Sequence, residues 1–569
     1  MMILFKQRYV RNSMNVRIKG FAAVIAVLML VSSALCLIPG TDLSGAGSPS
    51  YSGATVFGSS SSEEGGTYSS DTSDQNAILI TGGTVKLTDV TVTKTGGSGS
   101  GDGANFYGIN SAVMAKGGAQ VYIDGGTIST SASGANGVFS YGGNSDDGTT
   151  VTISNVTITT AGSNSGGIMT TGGGTTIAND LIIVTEGGSS APIRSDRGGG
   201  TVIVNGGTYT SHGSGSPAIY STADITVNGA VLLTTTSQGI CIEGDNSVTL
   251  NDCSLTTNNT KNHNSYFANA VLIYQSGSGD ARSGTSHFTA EGGTITCNNG
   301  HVIHVTHTDT VIFLSGVEIV NNDPDNVLLS VCDNHWGSGN NSADLTASAQ
   351  VLNGNILVGS DSSLTMSLED GSVFTGCISG DIVSDKGDTI SSSVGTVSVS
   401  LDSTSRWVLT ADTVISSFEG DPSNVVTNGY SLYVGSKLLE GTTEYDDSIT
   451  YDAQSGTGES SSDTSSSEDV AESSDVKDDT GGDSGWIVPI AIVAAVIVAG
   501  LALIVAKRHR SRSSKLIPGE IIPWYLFVLG PFGCPIWNNK DNSQPLLYPQ
   551  RHHTIIKKRR RIAWKGPSE

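Results

Sequence analysis

Two acidic residues, Asp196 and Glu243, are the first candidates for acid–base chemistry in this chain. Asp196 stands in the segment IRSDRGGG, two residues after Arg194. If the stretches that carry the two acids stack two layers apart, strand spacing alone separates the carboxyl groups by about 9–10 Å. Inverting glycoside hydrolases hold theirs about 6.5–9.5 Å apart. The pair therefore allows a hydrolase, with Arg194 as a basic partner, although an isolated Asp–Arg pair is more often a surface ion pair.

The segment HVIHVTHTD brings three histidines together and suggests a metal site. Side chains alternate along a strand, so His301 and His307 would share one face while His304 points to the other. Three ligands must converge to hold an ion such as zinc. The sequence therefore predicts surface histidines and no metal.

Aromatic and polar residues recur together on what we expect to be one outward face. Phe139, Tyr141 and Tyr220 could stack on sugar rings, while Arg194, Asp196 and Glu243 could form hydrogen bonds with hydroxyl groups. Large exposed apolar patches usually mark interaction sites. The alternative is that inserts or a terminal segment fold over this face and bury it. The predicted outward column contains Leu79, Met114, Phe139, Met169, Arg194, Tyr220, Cys241, Ile273, His304 and Leu329.

A repeated segment must position these residues. TVIVNGGTYT at Thr201 recurs as QVYIDGGTIS, DITVNGAVLL and SVTLNDCSLT, each with apolar residues at every second position. Alternation of this kind is typical of half-buried strands. A third strand closes each unit, and its predicted inward column is entirely aliphatic: Ile78, Val113, Val138, Ile168, Ile193, Ile219, Ile240, Leu272, Ile303 and Leu328.

Three strands per unit indicate an all-β, parallel β-helix. A sandwich would need antiparallel hairpins, and a propeller would need four strands in each longer repeat. Stacking gives the units one continuous core that none could form alone. Asn179, Asn205, Asn228 and Asn251 share one turn position, so their amides are predicted to bond along the stack as a ladder.

The rungs from 76 to 452 resemble the right-handed parallel β-helices of the pectin-lyase-like superfold. More narrowly, the chain is similar to Gly/Thr-rich adhesin-like surface proteins of gut anaerobes, methanogenic archaea among them. The resemblance implies a binding rod, whereas polysaccharide lyases on this superfold use a basic residue and bound calcium. The resemblance therefore allows a bound calcium ion and implies no other cofactor. Flat threonine-rich faces can also bind ice, but the outward columns lack a regular Thr-x-Thr pattern, which argues against it.

The two ends of the chain predict export and membrane anchoring. Residues 1–36 have the basic and apolar regions of a signal peptide, and 37–75 form a Gly/Ser-rich lead-in. Residues 453–485 are an acidic, Ser-rich stalk, and the uncharged run 486–506 is long enough for one transmembrane helix. The basic tail 507–569 would lie in the cytoplasm, which places the β-helix outside the cell.

Charge, cysteine content and sequons indicate which partners and modifications the chain can have. Residues 37–485 hold 11 Lys/Arg against 49 Asp/Glu, a net charge of about −38, which disfavours nucleic acid. The cysteines show no C-x-x-C pairing, so isolated thiols are expected. Sequons permit N-glycosylation at Asn155, Asn258 and Asn340.

The sequence thus predicts a membrane-anchored, adhesin-like cell-surface rod that binds glycans or neighbouring surface proteins. A polysaccharide lyase or glycoside hydrolase and a structural envelope component are the alternatives.

Overall fold

The computed structural model describes residues 49–260, 265–334 and 340–443. Within these ranges the chain is nearly all β, and its strands pair in long parallel sheets. This arrangement confirms the predicted all-β class and fits a parallel β-helix. No helix among the described residues is long and apolar enough to span a bilayer. The predicted signal peptide, stalk, membrane helix and basic tail all lie outside these ranges.

Up to Asn321, each repeat contributes one strand to each of three stacks, and each strand pairs parallel with the equivalent strand of the next repeat. In one repeat the three strands are Gly200–Asn205, Thr208–Ser211 and Ile219–Ser221. Their partners one repeat later are Asp224–Asn228, Val231–Thr234 and Ile240–Glu243. We call these stack 1, stack 2 and stack 3.

Stacks 1 and 2 form one 22-stranded sheet, since two long strands run through the bend between them. Stack 1 comprises Ser61–Glu64, Thr84–Lys94, Gln120–Thr130, Thr150–Ser154, Gly174–Asn179, Gly200–Asn205, Asp224–Asn228, Ser247–Asn251, Thr285–Glu291, Asp309–Ser315, Asn341–Ser348, Ser362–Glu369, Thr396–Leu401 and Ser417–Glu419. Stack 2 comprises Thr67–Ser70, the second halves of the two long strands, Thr157–Thr160, Ile182–Thr185, Thr208–Ser211, Val231–Thr234, Ser254–Thr257, Thr294–Cys297 and Glu318–Asn321.

Stack 3 is a separate sheet of 13 strands and carries the predicted site residues. It comprises Gly53–Phe57, Asn76–Ile80, Val113–Ala115, Val138–Tyr141, Ile168–Thr171, Ile193–Ser195, Ile219–Ser221, Ile240–Glu243, Asn269–Tyr274, His301–Thr306, Val327–Val331, Asn355–Val358 and Ile378–Ser379.

Smaller elements complete the described chain. A short helix, α1, spans Gly101–Tyr107, and Ser100 caps its first turn. A single 3₁₀ turn covers Pro422–Asn424. The remaining strands form a four-stranded parallel sheet, an antiparallel hairpin and a three-stranded sheet: Val351–Asn353, Val373–Thr375, Arg406–Val408 and Val425–Val426; Asp381–Val383 and Thr389–Ser392; Thr413–Ile415, Leu432–Val434 and Lys437–Leu439.

The first rung begins earlier than predicted. Gly53–Phe57 pairs with Asn76–Ile80, and Ser61–Glu64 pairs with Thr84–Lys94. Part of the predicted lead-in at 37–75 is therefore already β-structure. Its strands Ser61–Glu64 and Thr67–Ser70 read SSEE and TYSS, so the apolar alternation that marks later rungs is absent from them.

One hydrophobic core, mostly aliphatic, runs between the stacks from Ala77 to Leu432. Ile168, Ile193 and Ile219 are at most 1% exposed, as the predicted inward column requires. The asparagine ladder is also confirmed: the side-chain amides of Asn205, Asn228 and Asn251 each donate to the preceding asparagine at 2.7–2.9 Å. The five cysteines in the described ranges are free thiols, as expected.

The predicted column was wrong in two rungs. Val271, not Leu272, pairs with Ile240, and Leu329, not Leu328, pairs with Ile303. Both strands are buried on both sides, so an alternating pattern could not show which side faces the core. Consequently Leu272 and Ser330 occupy the outward column in place of Ile273 and Leu329.

Candidate functional site

The outward face of stack 3 is covered at its N-terminal end. Phe139 is fully buried and Tyr141 is 8% exposed, and both pack with Leu79, Met114 and Met169 beneath Tyr51 and Tyr107. Helix α1 supplies Tyr107, whose carbonyl accepts a hydrogen bond from the Tyr51 hydroxyl at 2.9 Å. The predicted exposure of Phe139 and Tyr141 is therefore wrong, because the insert GGSGSGDGANFYG folds over them.

The same face is covered at its other end by the hairpin Asp381–Val383 and Thr389–Ser392. Ile382 is fully buried against Phe267 and Cys332. The Asp385 carboxylate accepts a hydrogen bond from the backbone N–H of Ala268 at 2.8 Å. Ile382 and Asp385 lie more than 100 residues beyond Phe267 and Ala268 in the sequence, so local sequence patterns carry no sign of these contacts.

The three histidines lie beneath this hairpin and are not at the surface. His301, His304 and His307 are at most 7% exposed. The rings of His301 and His304 both bond the Ser330 hydroxyl through Nδ1, at 2.7 and 2.8 Å. Both the predicted exposure and the prediction that these two rings point to opposite faces are therefore wrong. His301 begins its strand next to a glycine corner, where strict alternation does not hold.

Between the two covered ends the face opens into a cleft of about 410 Å³. The outward side chains of four successive rungs of stack 3 line it, together with residues from the corners that precede those strands. Two of the corner residues, Asn164 and Ser189, adopt positive φ. The cleft is lined by Asn164, Ser189, Ala191, Arg194, Gly215, Pro217, Tyr220, Gln238, Cys241, Leu272, Tyr274 and Ser276. Of the predicted site residues, Arg194 and Tyr220 thus line one cavity.

Arg194 is held in a fixed orientation. Its guanidinium donates to the Asp196 carboxylate at 2.8 Å and to the Ser189 carbonyl at 3.0 Å, and it lies 5.9 Å from the centre of the Tyr220 ring. Asp196 also accepts from the backbone N–H of Arg197. Burial raises the pKa of the Asp196 carboxyl, while Arg194 and this N–H oppose the shift. The side chain of Arg194 therefore lines the cleft in one fixed orientation.

Glu243 organises the opposite wall. Its carboxylate is 1% exposed and accepts from the hydroxyls of Tyr220 at 2.6 Å, Tyr274 at 3.0 Å and Ser278 at 3.3 Å, and also from Ser276. Burial is the main reason that the pKa of both tyrosines lies well above the ordinary value. Neighbouring acidic and phenolic groups, Glu243 among them, raise these pKa values further. Both hydroxyls therefore keep their protons and donate, which fixes the orientation of the two rings.

Tyr274 and Ser276 were missed by the sequence reasoning. Tyr274 ends the strand Asn269–Tyr274 and Ser276 follows it; in this strand the predicted register was displaced by one residue. Glu243 pairs directly with Tyr274 in the next rung, so the correct register would have placed an aromatic side chain beside the acid.

A glycine-rich loop after Tyr274 closes one side of the cleft. Asp280 of this loop forms an ion pair with Arg197 at 2.6 Å, and the Arg197 guanidinium lies 4.1 Å from the Phe106 ring of α1. Arg282 pairs with Asp245. The loop is thus tied to the strands on which the cleft is built.

The two candidate catalytic carboxylates are poorly placed for acid–base work. Asp196 is 3% exposed and its two oxygens accept from Arg194 and Arg197, while hydroxyl donors occupy both oxygens of Glu243. A general acid or base must reach the proton that it transfers. Calcium needs six to eight oxygen ligands, and residues already engaged with two arginines and four hydroxyls do not fit that ion.

The sequons differ in accessibility. Asn155 and Asn340 are exposed, and Asn258 is half-buried. The Asn155 side chain donates to the Asp124 carboxylate at 2.9 Å. All three remain predicted acceptors.

No family model, no curated protein and no solved structure matches this chain. Fold and cleft therefore carry the functional argument.

Proposed function

We propose that this chain is a membrane-anchored, adhesin-like cell-surface protein and that it binds glycan through the cleft between Arg194 and Tyr274. Its ectodomain would be a right-handed parallel β-helix with three strands per rung. The 13 strands of stack 3 would extend it by about 60 Å at ~4.8 Å per strand. The predicted signal peptide, stalk and membrane helix support this placement at the cell surface.

The observation that carries the proposal is the open cleft on stack 3, which lies between the part covered by α1 and the part covered by the hairpin. Ligand sites are concave and mostly apolar, with a few fixed polar groups that orient the ligand. This cleft has that composition: the rings of Tyr220 and Tyr274 and the apolar Leu272 stand beside Arg194 and Gln238. A sugar ring offers an apolar face to an aromatic side chain and hydroxyls to such polar groups.

The cleft favours neutral over acidic saccharides. Arg194 is already paired with Asp196, and the carboxylates of Glu243 and Asp280 lie close by. An added carboxylate or sulfate would meet these acids without an unpaired cation in the cleft. A neutral hexose unit avoids that repulsion.

A glycan array probed with the full chain, followed by titration of any hit, tests this function. Tyr220→Ala should weaken binding at least tenfold, which corresponds to about 1.4 kcal/mol, because the ring is lost. Tyr220→Phe keeps the ring but loses the hydroxyl bond to Glu243, so it should lose some affinity, though less than Tyr220→Ala.

Tyr122→Ala is the matched control, since Tyr122 is a 44% exposed tyrosine on stack 1. Absence of any bound saccharide, or equal losses in Tyr122→Ala and Tyr220→Ala, would contradict the proposal. Release of reducing sugar from a hit, lost in Glu243→Gln, would favour the hydrolase alternative.

A further inference from the structure

Stack 2 carries a second surface that is independent of the cleft. Its outward side chains form two columns, and the eight rungs from Thr84–Lys94 to Thr294–Cys297 place no charged residue in them, whereas Glu318 follows Thr294 in the next rung. We call this surface the threonine face: Thr91, Thr93, Thr127, Ser129, Thr157, Thr159, Ile182, Val184, Thr208, Thr210, Val231, Leu233, Ser254, Thr256, Thr294 and Thr296. A Thr-x-Thr pattern, which is absent from the outward columns of stack 3, therefore does exist on this stack.

None of these sixteen residues is charged, in a chain whose formal net charge is −23. Twelve of them are threonine or serine, and the other four are aliphatic. Ile182 is 52% exposed and Val231 is 47% exposed. All sixteen side chains are exposed or half-buried among the described residues, whereas α1 and the hairpin bury much of the outward face of stack 3. Parallel pairing in register keeps the columns straight.

We propose that the threonine face binds the same face of a second copy of this chain. Two copies of a strongly acidic protein repel one another, and the repulsion is smallest where they meet through a surface without charge. An isologous interface requires one patch to complement itself. Two columns that repeat at the same strand spacing on both copies meet this condition, with methyl groups packing and hydroxyls pairing across the contact.

The area of the face fits a weak, reversible contact. Eight rungs at ~4.8 Å and strands of about four residues at ~3.3 Å give a face of roughly 38 by 13 Å, or about 500 Å² per copy. Two copies would bury about 1,000 Å², which is near the lower limit for a specific interface. If copies of the chain stand side by side on the cell surface, their effective concentration is higher, which would strengthen such a contact.

Sedimentation velocity of the full chain over a range of concentrations tests this proposal. The double variant Thr208→Glu/Val231→Glu adds two carboxylates to adjacent rungs at the centre of the face, and each dimer would then hold four. We expect self-association of the parent chain and a dissociation constant at least tenfold higher in the double variant.

Thr201→Glu is the matched control, because Thr201 is also an exposed threonine and belongs to the same repeat on stack 1. It should leave self-association unchanged, and thermal unfolding should show all three proteins folded. A parent chain that stays monomeric, or association that both variants leave equally unchanged, would overturn the proposal. A third result would also overturn it: the parent chain is monomeric and binds to ice or to an insoluble neutral glucan, and the double variant does not. The threonine face would then recognise that surface instead of a second copy.

Discussion

At the scale of single residues, Glu243 explains most of the geometry of the cleft. Its carboxylate is a pure acceptor when ionised, and the four hydroxyls that surround it are all donors. Two of these come from tyrosines whose rings face the cavity. Glu243 therefore acts as a positioning residue for the aromatic wall rather than as a group that touches the ligand.

Glu243→Gln should destabilise the fold by about 1–3 kcal/mol, because an amide presents one acceptor oxygen where the carboxylate presents two. The tyrosine rings should lose their fixed orientation, so saccharide affinity should fall as well. Chemical denaturation and ligand titration measure the two effects. Glu291→Gln is the control, since Glu291 is exposed on stack 1. Unchanged stability and affinity in Glu243→Gln would contradict the positioning role.

Burial of the histidines beneath the hairpin makes stability depend on pH. Burial lowers the pKa of His301 to about 4 and that of His304 to about 3, whereas an unfolded histidine titrates near pH ~6.5. The unfolded chain thus binds more protons between these values, so stability is full above pH ~6.5 and falls as the pH drops toward about 4 and then about 3.

His304→Gln should flatten that fall, even if its stability at neutral pH is lower. Urea denaturation at intervals between pH 7 and pH 4 measures the slope. An identical slope in the parent chain and in His304→Gln would show that His304 is not buried in its neutral form.

At the scale of elements, inserts decide which part of the face is open. Helix α1 covers the first rungs of stack 3, and the hairpin covers the later ones. The rungs themselves are nearly uniform, so the cleft lies where the inserts stop. The proposed glycan site therefore depends on where the repeats are interrupted.

Ile382→Ala should cost about 2–5 kcal/mol, the usual range for truncating a buried isoleucine. It should also speed hydrogen exchange around Phe267, since the hairpin would cover that strand less firmly. The neighbouring substitution Val383→Ala is the control, because Val383 is 58% exposed and should change neither quantity. Equal effects of the two substitutions would mean that the hairpin does not pack on the sheet.

Sequence reasoning succeeded where the repeat is regular and failed where it is interrupted. Alternation predicted the inward positions of Ile168, Ile193 and Ile219, and the shared turn position predicted the asparagine ladder. It could not predict the register of Asn269–Tyr274, which is buried on both faces, nor the burial of Phe139 by an insert. Arg194 and Tyr220 were predicted correctly as neighbours because their rungs follow one another without a long insert.

At the scale of the whole described chain, three stacks present three different surfaces around one core. Stack 3 holds the cleft, stack 2 holds the threonine face, and stack 1 carries the asparagine ladder at its edge. The proposed glycan contact and the proposed contact with a second copy therefore use different stacks. We infer that the two contacts are separable by substitution, because they lie on different sheets.

Hydrogen–deuterium exchange of the full chain, with and without a saturating saccharide, is the sharpest test that glycan binds in the cleft. We predict slower exchange in the cleft strands Ile219–Ser221, Ile240–Glu243 and Asn269–Tyr274, and no change in α1 or in the hairpin 381–392. Protection confined to α1, to the hairpin or to the threonine face, with the cleft strands unchanged, would contradict the account.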